Sequence, residues 1–478
     1  MPSLLVQNAV FGGLSDTRYV GIKDSLYRIV GFDLHDEPGV MKVAPKLTKI
    51  SASTVTGLAK SVVVASNGET YFFDADSGKI WRVKTDFTVQ LAYTTSAAAG
   101  ESKCLGACEY NGYIYWATQS RLHRITLANA LVTTWATLDL NWKTFTRTDI
   151  SFHRMKVQND ILYIGDGYAL AQVENNTFSA TALDLPFPIH HRISAVENYL
   201  TGVLSGTFVA STVVECIVAL WNGWSVSFSS KDELPEVGVN SFLKVDNRVI
   251  ANIGKKGNFY VFNGQQMEQY KRVPGDWGGI FSTKGAIVHP DAVANVNGMP
   301  LFGVSNVSGN PTLEGVYSFG SYSREYPIIM DLTYPISTGN LTGVEIGAIA
   351  LVGTDMLVSW KDGSTYGIDK IDTSNKFNGA YFETREAAFE RGTEKAFGAE
   401  IYYRTLPDET LSIKLYASVD GGASFTELIL TNDSDSKMLY LKEQFKANKV
   451  IFRVVTSASA NNAPEIESVD FFYGHDTE

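Results

Sequence analysis

Between about Val55 and Ala380 the chain alternates apolar, aromatic-rich runs with tight polar turns and longer polar breaks. The run Ser61-Val62-Val63-Val64-Ala65 meets Thr70-Tyr71-Phe72-Phe73 across Ser66-Asn67-Gly68-Glu69. Glu109-Tyr110-Asn111-Gly112-Tyr113-Ile114-Tyr115-Trp116 repeats the event in other letters. So do Val157-Gln158-Asn159-Asp160-Ile161-Leu162-Tyr163-Ile164 and Leu243-Lys244-Val245-Asp246-Asn247-Arg248-Val249-Ile250. Tyr, Phe, Val, Ile and Thr suit pleated, half-buried surfaces. Apolar residues at helical three-and-four spacing are nearly absent, so the chain is expected to be all-β.

The hairpins recur at a fixed spacing, in seven rough units that begin near Val55, Cys104, Ser151, Arg192, Val237, Lys284 and Glu345. Each unit spans about 46 residues, the size of a four-stranded propeller blade. A lone sheet cannot bury both faces, whereas sheets packed around an axis bury them against each other. The expectation is therefore a β-propeller of about seven blades over residues 55–380. Turn chemistry agrees. Asn-Gly pairs begin at Asn67, Asn111, Asn222, Asn263, Asn297 and Asn378, and type I′ hairpin turns, with positive φ at both positions, are expected there. Asp362-Gly363 and Ser77-Gly78 are expected to serve the same purpose.

The flanks differ. Residues 1–54 are expected to form an N-terminal arm with a candidate propeller-closing strand, broken by Gly12-Gly13 and by Asp36-Glu37-Pro38-Gly39. Tyr381–Glu400 is crowded with charge and leaves a polar strand and a short helix both open. Beyond it strict alternation sets in. Leu411, Ile413, Leu415 and Ala417 face one way, and Ser412, Lys414, Tyr416 and Ser418 the other. Val450, Phe452 and Val454 repeat the pattern, as do Val469, Phe471 and Tyr473. Period two predicts sheets with one wet face, so residues 381–478 are expected to be a β-sandwich.

Composition narrows the function. The formal net charge of −11 argues against a dedicated nucleic-acid binder, which would carry clustered Lys and Arg. Cys104, Cys108 and Cys216 are odd in number and suggest neither a disulfide framework nor a zinc knuckle. They are expected to be small buried hydrophobes in a reducing cytoplasm. The start of the chain shows no export-signal pattern, and no apolar stretch reaches the ~18 residues of a membrane-spanning helix.

Catalytic signatures are scarce: no G-x-S-x-G, H-E-x-x-H, P-loop or dinucleotide fingerprint occurs. His190-His191-Arg192 is expected to be structural, because adjacent histidines on a strand face opposite ways. Asp74-Ala75-Asp76-Ser77-Gly78 spaces oxygens as a calcium loop does but lacks the later bidentate Glu, so a hairpin turn is expected. A propeller glycosidase would need two carboxylates in a central funnel. Glu215, Asp232, Glu233, Asp276, Asp291 and Glu314 are the available ones. Trp116, Trp221, Trp224, Trp277 and Trp360 could stack on sugars, but blade cores consume Trp as well. No catalytic, cofactor-binding or metal-ligating residue is assigned.

Ser418-Val419-Asp420-Gly421-Gly422-Ala423-Ser424-Phe425 resembles the Asp-box of sialidases and other propellers, with Phe in place of the final Trp. That resemblance implies that Asp420 bonds to backbone amides of its own hairpin while Phe425 packs beneath.

A wider resemblance rests on the C-terminal stretches. These are Lys395-Ala396-Phe397-Gly398-Ala399-Glu400-Ile401, Ser412–Gly422, Val450-Ile451-Phe452-Arg453-Val454-Val455-Thr456 and Ala463-Pro464-Glu465-Ile466. They resemble tail hub and nozzle proteins of short-tailed bacteriophages, while Gly31-Phe32-Asp33-Leu34 and Glu37-Pro38-Gly39-Val40 are similar to the openings of phage virion proteins. Those proteins place a β-propeller before a β-sandwich and form a six-fold ring through which DNA leaves. The resemblance implies a virion structural protein, not an enzyme, assembled in the host cytoplasm without cofactors. Its partners would be itself, as a homo-oligomeric ring with a hexamer favoured, and portal, adaptor or fibre proteins. DNA would pass without specific binding, and no membrane would be entered. Two alternatives stand beside this reading: a receptor- or glycan-binding tail protein, and a glycoside hydrolase using a funnel carboxylate such as Glu215.

Overall fold

The computed structural model describes residues 3–6, 13–15, 18–19, 25–50, 55–95, 101–132, 135, 138–147, 152–183, 188, 190–200, 202–209, 214–273, 285–306, 313–320, 329–338, 342–389, 395–408 and 412–474. Among them the chain is almost wholly β, and its helix is the single turn Leu127–Ala130. Thr126 caps that turn, its side chain accepting from the Asn129 amide.

Six four-stranded antiparallel sheets span 59–94, 106–144, 155–183, 191–234, 239–272 and 344–376, the last completed by Pro45–Lys49. Their first strands stand side by side around one axis. This is a β-propeller. A further antiparallel meander, 287–334, places its first strand between those of the sheets at 239–272 and 344–376. Its last strand, however, continues into a ten-stranded sheet. Six blades are thus separate sheets, against the seven units expected. Each expected start lies within four residues of the first strand of a four-stranded run, the widest gaps being Val55 against Ala59 and Ser151 against Met155.

Burial explains why the repeat was visible. The second strand of a blade lies inside its sheet, with neighbouring blades on both faces. Thr70–Asp74 is buried at every position, and Tyr113–Ala117 and Ile161–Asp166 at all but their first. These strands therefore read as continuous apolar runs rather than as alternation. The outer strand Asp139–Thr144 has no position that is fully buried.

The turns depart from expectation. Asn111-Gly112 and Asn297-Gly298 have positive φ at both positions, as type I′ requires. At Asn67, Asn222, Asn263 and Asn378 only the glycine does. The first three use the Asn side chain instead. Asn222 Oδ1 accepts from the amides of Trp224 and Ser225, Asn263 Oδ1 from Gln265 and Gln266, and Asn67 Oδ1 from Glu69. Asn378 Oδ1 accepts from the Ala458 amide across the chain. Asx-type capping replaced the tighter turn.

Residues 25–50 are woven into both parts of the molecule. Leu26–Val30 pairs in parallel with Ile329–Tyr334 of the meander and antiparallel with Tyr381–Thr384. It is the strand through which the ten-stranded sheet crosses from the propeller to the C-terminal region. Lys449–Thr456, Ile413–Ser418 and Thr426–Leu428 extend that sheet. Phe32–Asp33 and Met41–Val43 join a second sheet, built on Glu465–Gly474 and Lys395–Thr405. Aromatic side chains fill the space between the two. Phe452 stacks on Phe471 with centroids 4.7 Å apart, and Phe397 meets Phe452 edge-on at 5.8 Å.

The alternation holds for Ile413, Leu415, Ala417, Val450, Phe452, Val454, Val469 and Phe471, all buried. Ser412 and Ser418, expected on the wet face, are buried too, because their hydroxyls bond to the turns beside them. Leu411 lies outside the described residues. The charged segment left open between strand and helix contains the strands Tyr381–Thr384 and Ala387–Ala388 and the start of Lys395–Thr405.

Candidate functional site at the propeller axis

Five first strands break register: at Ala59/Ser61, Ile193/Ala195, Val239/Ser241, Val288/Val293 and Ile346/Ile349. A bulge leaves backbone groups without ladder partners and re-aims side chains. Side chains of adjacent blades take up the freed groups. Ser359 Oγ accepts from the Ala59 amide at 3.2 Å, Ser305 Oγ from the Ile346 amide at 2.8 Å, and Asn252 Oδ1 from the Val288 amide at 3.3 Å. Ser194 Oγ donates to the Val239 carbonyl at 2.6 Å. Four junctions are stapled this way, two between neighbouring blades and two where the meander 287–334 meets the sheets beside it.

Inside the ring lies a cavity of about 210 Å³, whose charged lining is Arg154, Lys156, Glu197 and Asp291. Lys156 Nζ sits 2.9 Å from Glu197, a closed pair. Burial alone would lower the Lys156 pKa, but the Glu197 charge outweighs it and the pKa rises. Arg154 is held less well. Its guanidinium donates to Ser61 Oγ at 2.8 Å and to the Lys60 carbonyl at 3.4 Å, while Asp291 stands off at 3.7 Å. Its Nε is buried with no hydrogen-bond partner, and burial pushes the guanidinium pKa down.

Nearby, Glu345 faces His289, Lys60 and Lys361 at 3.5, 3.6 and 3.6 Å. The nearby His289, then the two lysines, hold its carboxyl down at about 2 against the effect of burial. Toward the starts of the first strands a second cavity of about 420 Å³ adjoins, sharing Pro290 and walled by Phe152, Phe208, Val237 and Val239.

The sequence candidates are scattered. Asp291 reaches the axis. Glu215 lies 3.9 Å from His191, Asp232 accepts from the Met267 amide, and Glu233 pairs with Lys231 on an outer strand. Glu314 is buried and accepts from the Val344 amide. Asp276 lies outside the described residues. The carboxylates that do share the axial cavity are Asp291 and Glu197, each facing a cation, and the sequence reading passed over Glu197. The available signal was a charged residue in the middle of an apolar first strand, as in Val196-Glu197-Asn198 and Met155-Lys156-Val157.

His190 and His191 do not face opposite ways: their rings are 4.8 Å apart. The strand begins only at His191, so strand alternation does not govern His190. Asp74 caps its hairpin, accepting from the Asp76 and Ser77 amides. Among the described residues no group of three His, Cys, Asp or Glu is placed to hold a metal ion. Asp420 accepts from the amides of Ala423 and Ser424 at 3.0 Å, as the Asp-box resemblance implies, and Arg453 covers Phe425 at 3.6 Å. Trp116, Trp221 and Trp360 are core residues, whereas Trp224 is 75 % exposed; Trp277 lies outside the described residues. Cys104 and Cys216 are buried, and Cys108 is half-buried. No helix among the described residues is long and apolar enough to cross a membrane.

No protein-family model matches the chain, and no curated protein matches it. Among solved structures, one similar chain is the extracellular domain of a protein assigned as a hybrid two-component system in B. thetaiotaomicron. It is 15 % identical with a TM-score of 0.46; the match covers 74 % of this chain and 43 % of that one. Virginiamycin B lyase from Staphylococcus aureus, in an inactive form with quinupristin, is 11 % identical with a TM-score of 0.48, over 68 % and 98 % of the two chains. The N-terminal domain of Nup159 is 10 % identical with a TM-score of 0.40, over 78 % and 100 %.

Proposed function

We propose that this protein is a structural component of a bacteriophage tail, a hub, nozzle or adaptor, as the sequence resemblance implies. The observation that carries the reading is the strand Leu26–Val30. It joins the meander 287–334 and the strand Tyr381–Thr384 into one sheet, so the propeller and the C-terminal region share a continuous sheet and core. A body built that way transmits force without a hinge, which suits a scaffold. In this reading the meander 287–334 counts as a seventh blade. Residues 381–478, with strands lent by the N-terminal segment, form a β-sandwich. The protein closes into a homo-oligomeric ring through heterologous contacts, a hexamer favoured, and docks on other tail proteins.

DNA would use the ring lumen. The propeller axis holds adjoining cavities of about 210 and 420 Å³, the smaller lined by the Lys156–Glu197 ion pair, whereas a B-DNA duplex has a major groove alone about 12 Å wide. The acidic balance of −11 keeps such a lumen from gripping the passing polyanion. Native mass spectrometry and negative-stain imaging of the purified protein, alone and mixed with portal and adaptor proteins of short-tailed phages, test the proposal. Closed rings, or binding to the end of a portal–adaptor assembly, are expected. A protein that stays monomeric at all concentrations and joins neither partner would sink it.

A receptor-binding role has one observation of its own. Trp224 is 75 % exposed and Val226 94 % exposed on the same turn. Loss of cell or polysaccharide binding on Trp224→Ala, with ring formation intact, would favour that second reading.

A further inference from the structure

We propose that the propeller axis binds a small amphipathic anion: a carboxylate on an apolar or aromatic body. The site would comprise the vestibule of about 420 Å³ and, through the adjoining cavity of about 210 Å³ that Arg154 lines, the guanidinium of Arg154. This inference is independent of the scaffold role.

Three observations carry it. The first is an underused buried cation. Arg154 is 5 % exposed, and among the described residues its Nε has no hydrogen-bond partner and its nearest carboxylate, Asp291, stays at 3.7 Å. Asp291 is turned to another task, its Oδ2 accepting from the Val62 amide at 3.2 Å. A buried guanidinium held by neutral acceptors and one distant carboxylate retains capacity for a charge-assisted, forked bond to an incoming carboxylate. Lys156 does not compete, because Glu197 already closes on it at 2.9 Å.

The second is the shape and chemistry of the space beside it. The Arg154 guanidinium lines the smaller cavity and lies 5.4 Å from the centroid of Phe152, which lines the vestibule. Phe152 meets Phe208 edge-to-face at 5.8 Å and 88°. Val209, Val237 and Val239 complete an apolar wall. An apolar pocket with a few convergent polar groups is the usual form of a small-molecule site.

The third is sign. Among the described residues the titratable side chains lining the vestibule are Lys255 and His289, the latter 3.5 Å from Glu345, and no carboxylate is part of the lining. In a chain of net charge −11 a lining with no acid among its described residues is a selective feature. It disfavours cations and admits anions.

The test uses the full chain with 4-phenylbutyrate as probe and 4-phenylbutanamide as its uncharged counterpart. Binding is followed by saturation-transfer NMR and calorimetry. Saturable one-to-one binding is expected, with the acid about tenfold or more tighter than the amide, since a charge-assisted bond is about twice as strong as a neutral one. Arg154→Gln should abolish the preference for the acid, and Phe208→Leu should weaken both ligands. Near-UV circular dichroism checks that each variant folds. If Arg154→Gln does not fold, Lys255→Ala and Phe208→Leu still decide. Absence of saturable binding at millimolar probe would overturn the inference. So would equal affinity for acid and amide, or folded variants that bind like the parent. Ring formation has no bearing on these readouts, so the two proposals stand or fall separately.

Discussion

The hydroxyl of Ser359, on the second strand of the sheet 344–376, accepts a hydrogen bond from the amide of Ala59, the first residue of the sheet 59–94. Both residues are buried, and the bond crosses the junction where the ring of sheets closes. Ser359→Ala would leave the Ala59 amide unsatisfied where the first strand bulges. Losing one partner of a buried pair costs about 1–3 kcal/mol. Urea unfolding of Ser359→Ala should show its midpoint lowered with the slope unchanged, and an unaltered midpoint would show that water reaches the junction.

Glu383 is 1 % exposed and sits between Arg453, which donates to it from Nε at 2.8 Å, and Arg28 at 3.3 Å. Arg453 also covers Phe425. Arg453→Ala should therefore cost about 1–3 kcal/mol, less than a buried charge left alone, because Arg28 still faces Glu383. Arg453→Lys should recover only part of this, because an ammonium lacks the planar fork. Thermal unfolding of both variants checks the order.

Two buried histidines make the fold acid-sensitive. Burial pushes His123 and His153 down to about 4. A histidine whose folded pKa lies below its unfolded value stabilises fully above about pH 6.5, and that contribution is lost as pH falls toward 4, up to about 3 kcal/mol each. His153→Gln should flatten the fall in urea midpoint between pH 6.5 and 4.5. An unchanged profile would mean that His153 is hydrated in solution.

Asp166 works in the opposite sense. Burial raises its carboxyl to about 6, with Arg147 and Thr146 pulling the other way. A raised folded pKa gives stability that is present below about pH 4 and lost as pH rises through 6, up to about 3 kcal/mol. Relative to the parent, Asp166→Asn should gain stability between pH 4 and 6. A parallel pair of pH profiles would refute this.

Deleting residues 1–54 should abolish soluble, cooperatively folding protein. Leu26, Ile29 and Phe32 are at most 1 % exposed, and Pro45–Lys49 forms the outer strand of a blade. The deletion would leave bare sheet edges and a core with a missing wall. Expression with a solubility readout decides, and a folded truncated protein would show the segment to be dispensable.

The blade repeat was legible because hairpin signals are local. Each turn lies between strands that pair within a few residues, so Asn111-Gly112 announces Tyr110 beside Tyr113. The turn type was less legible, because Asn222 and Asn263 satisfy their loops through side-chain oxygens, a choice that the Asn-Gly pair alone does not specify. The weave of the N-terminal segment left no signal at all. Arg28 and Glu383 are 355 positions apart, and nothing near either residue names the other. The axial charges were visible only as single polar letters inside apolar strands. That they converge on one point follows from the ring and not from any strand by itself.

The Leu26–Val30 strand also sets a timetable. It leaves the ribosome early, yet both its partners, Ile329–Tyr334 and Tyr381–Thr384, are made some three hundred residues later. Pro45–Lys49 waits as long for Thr365–Lys376. Vectorial synthesis therefore cannot complete this molecule piece by piece, and these pairings wait until the downstream strands have been made. Pairings so distant in sequence are slow to form and leave sticky edges in the interim, so production in the cell should respond to chaperone supply more than to codon choice.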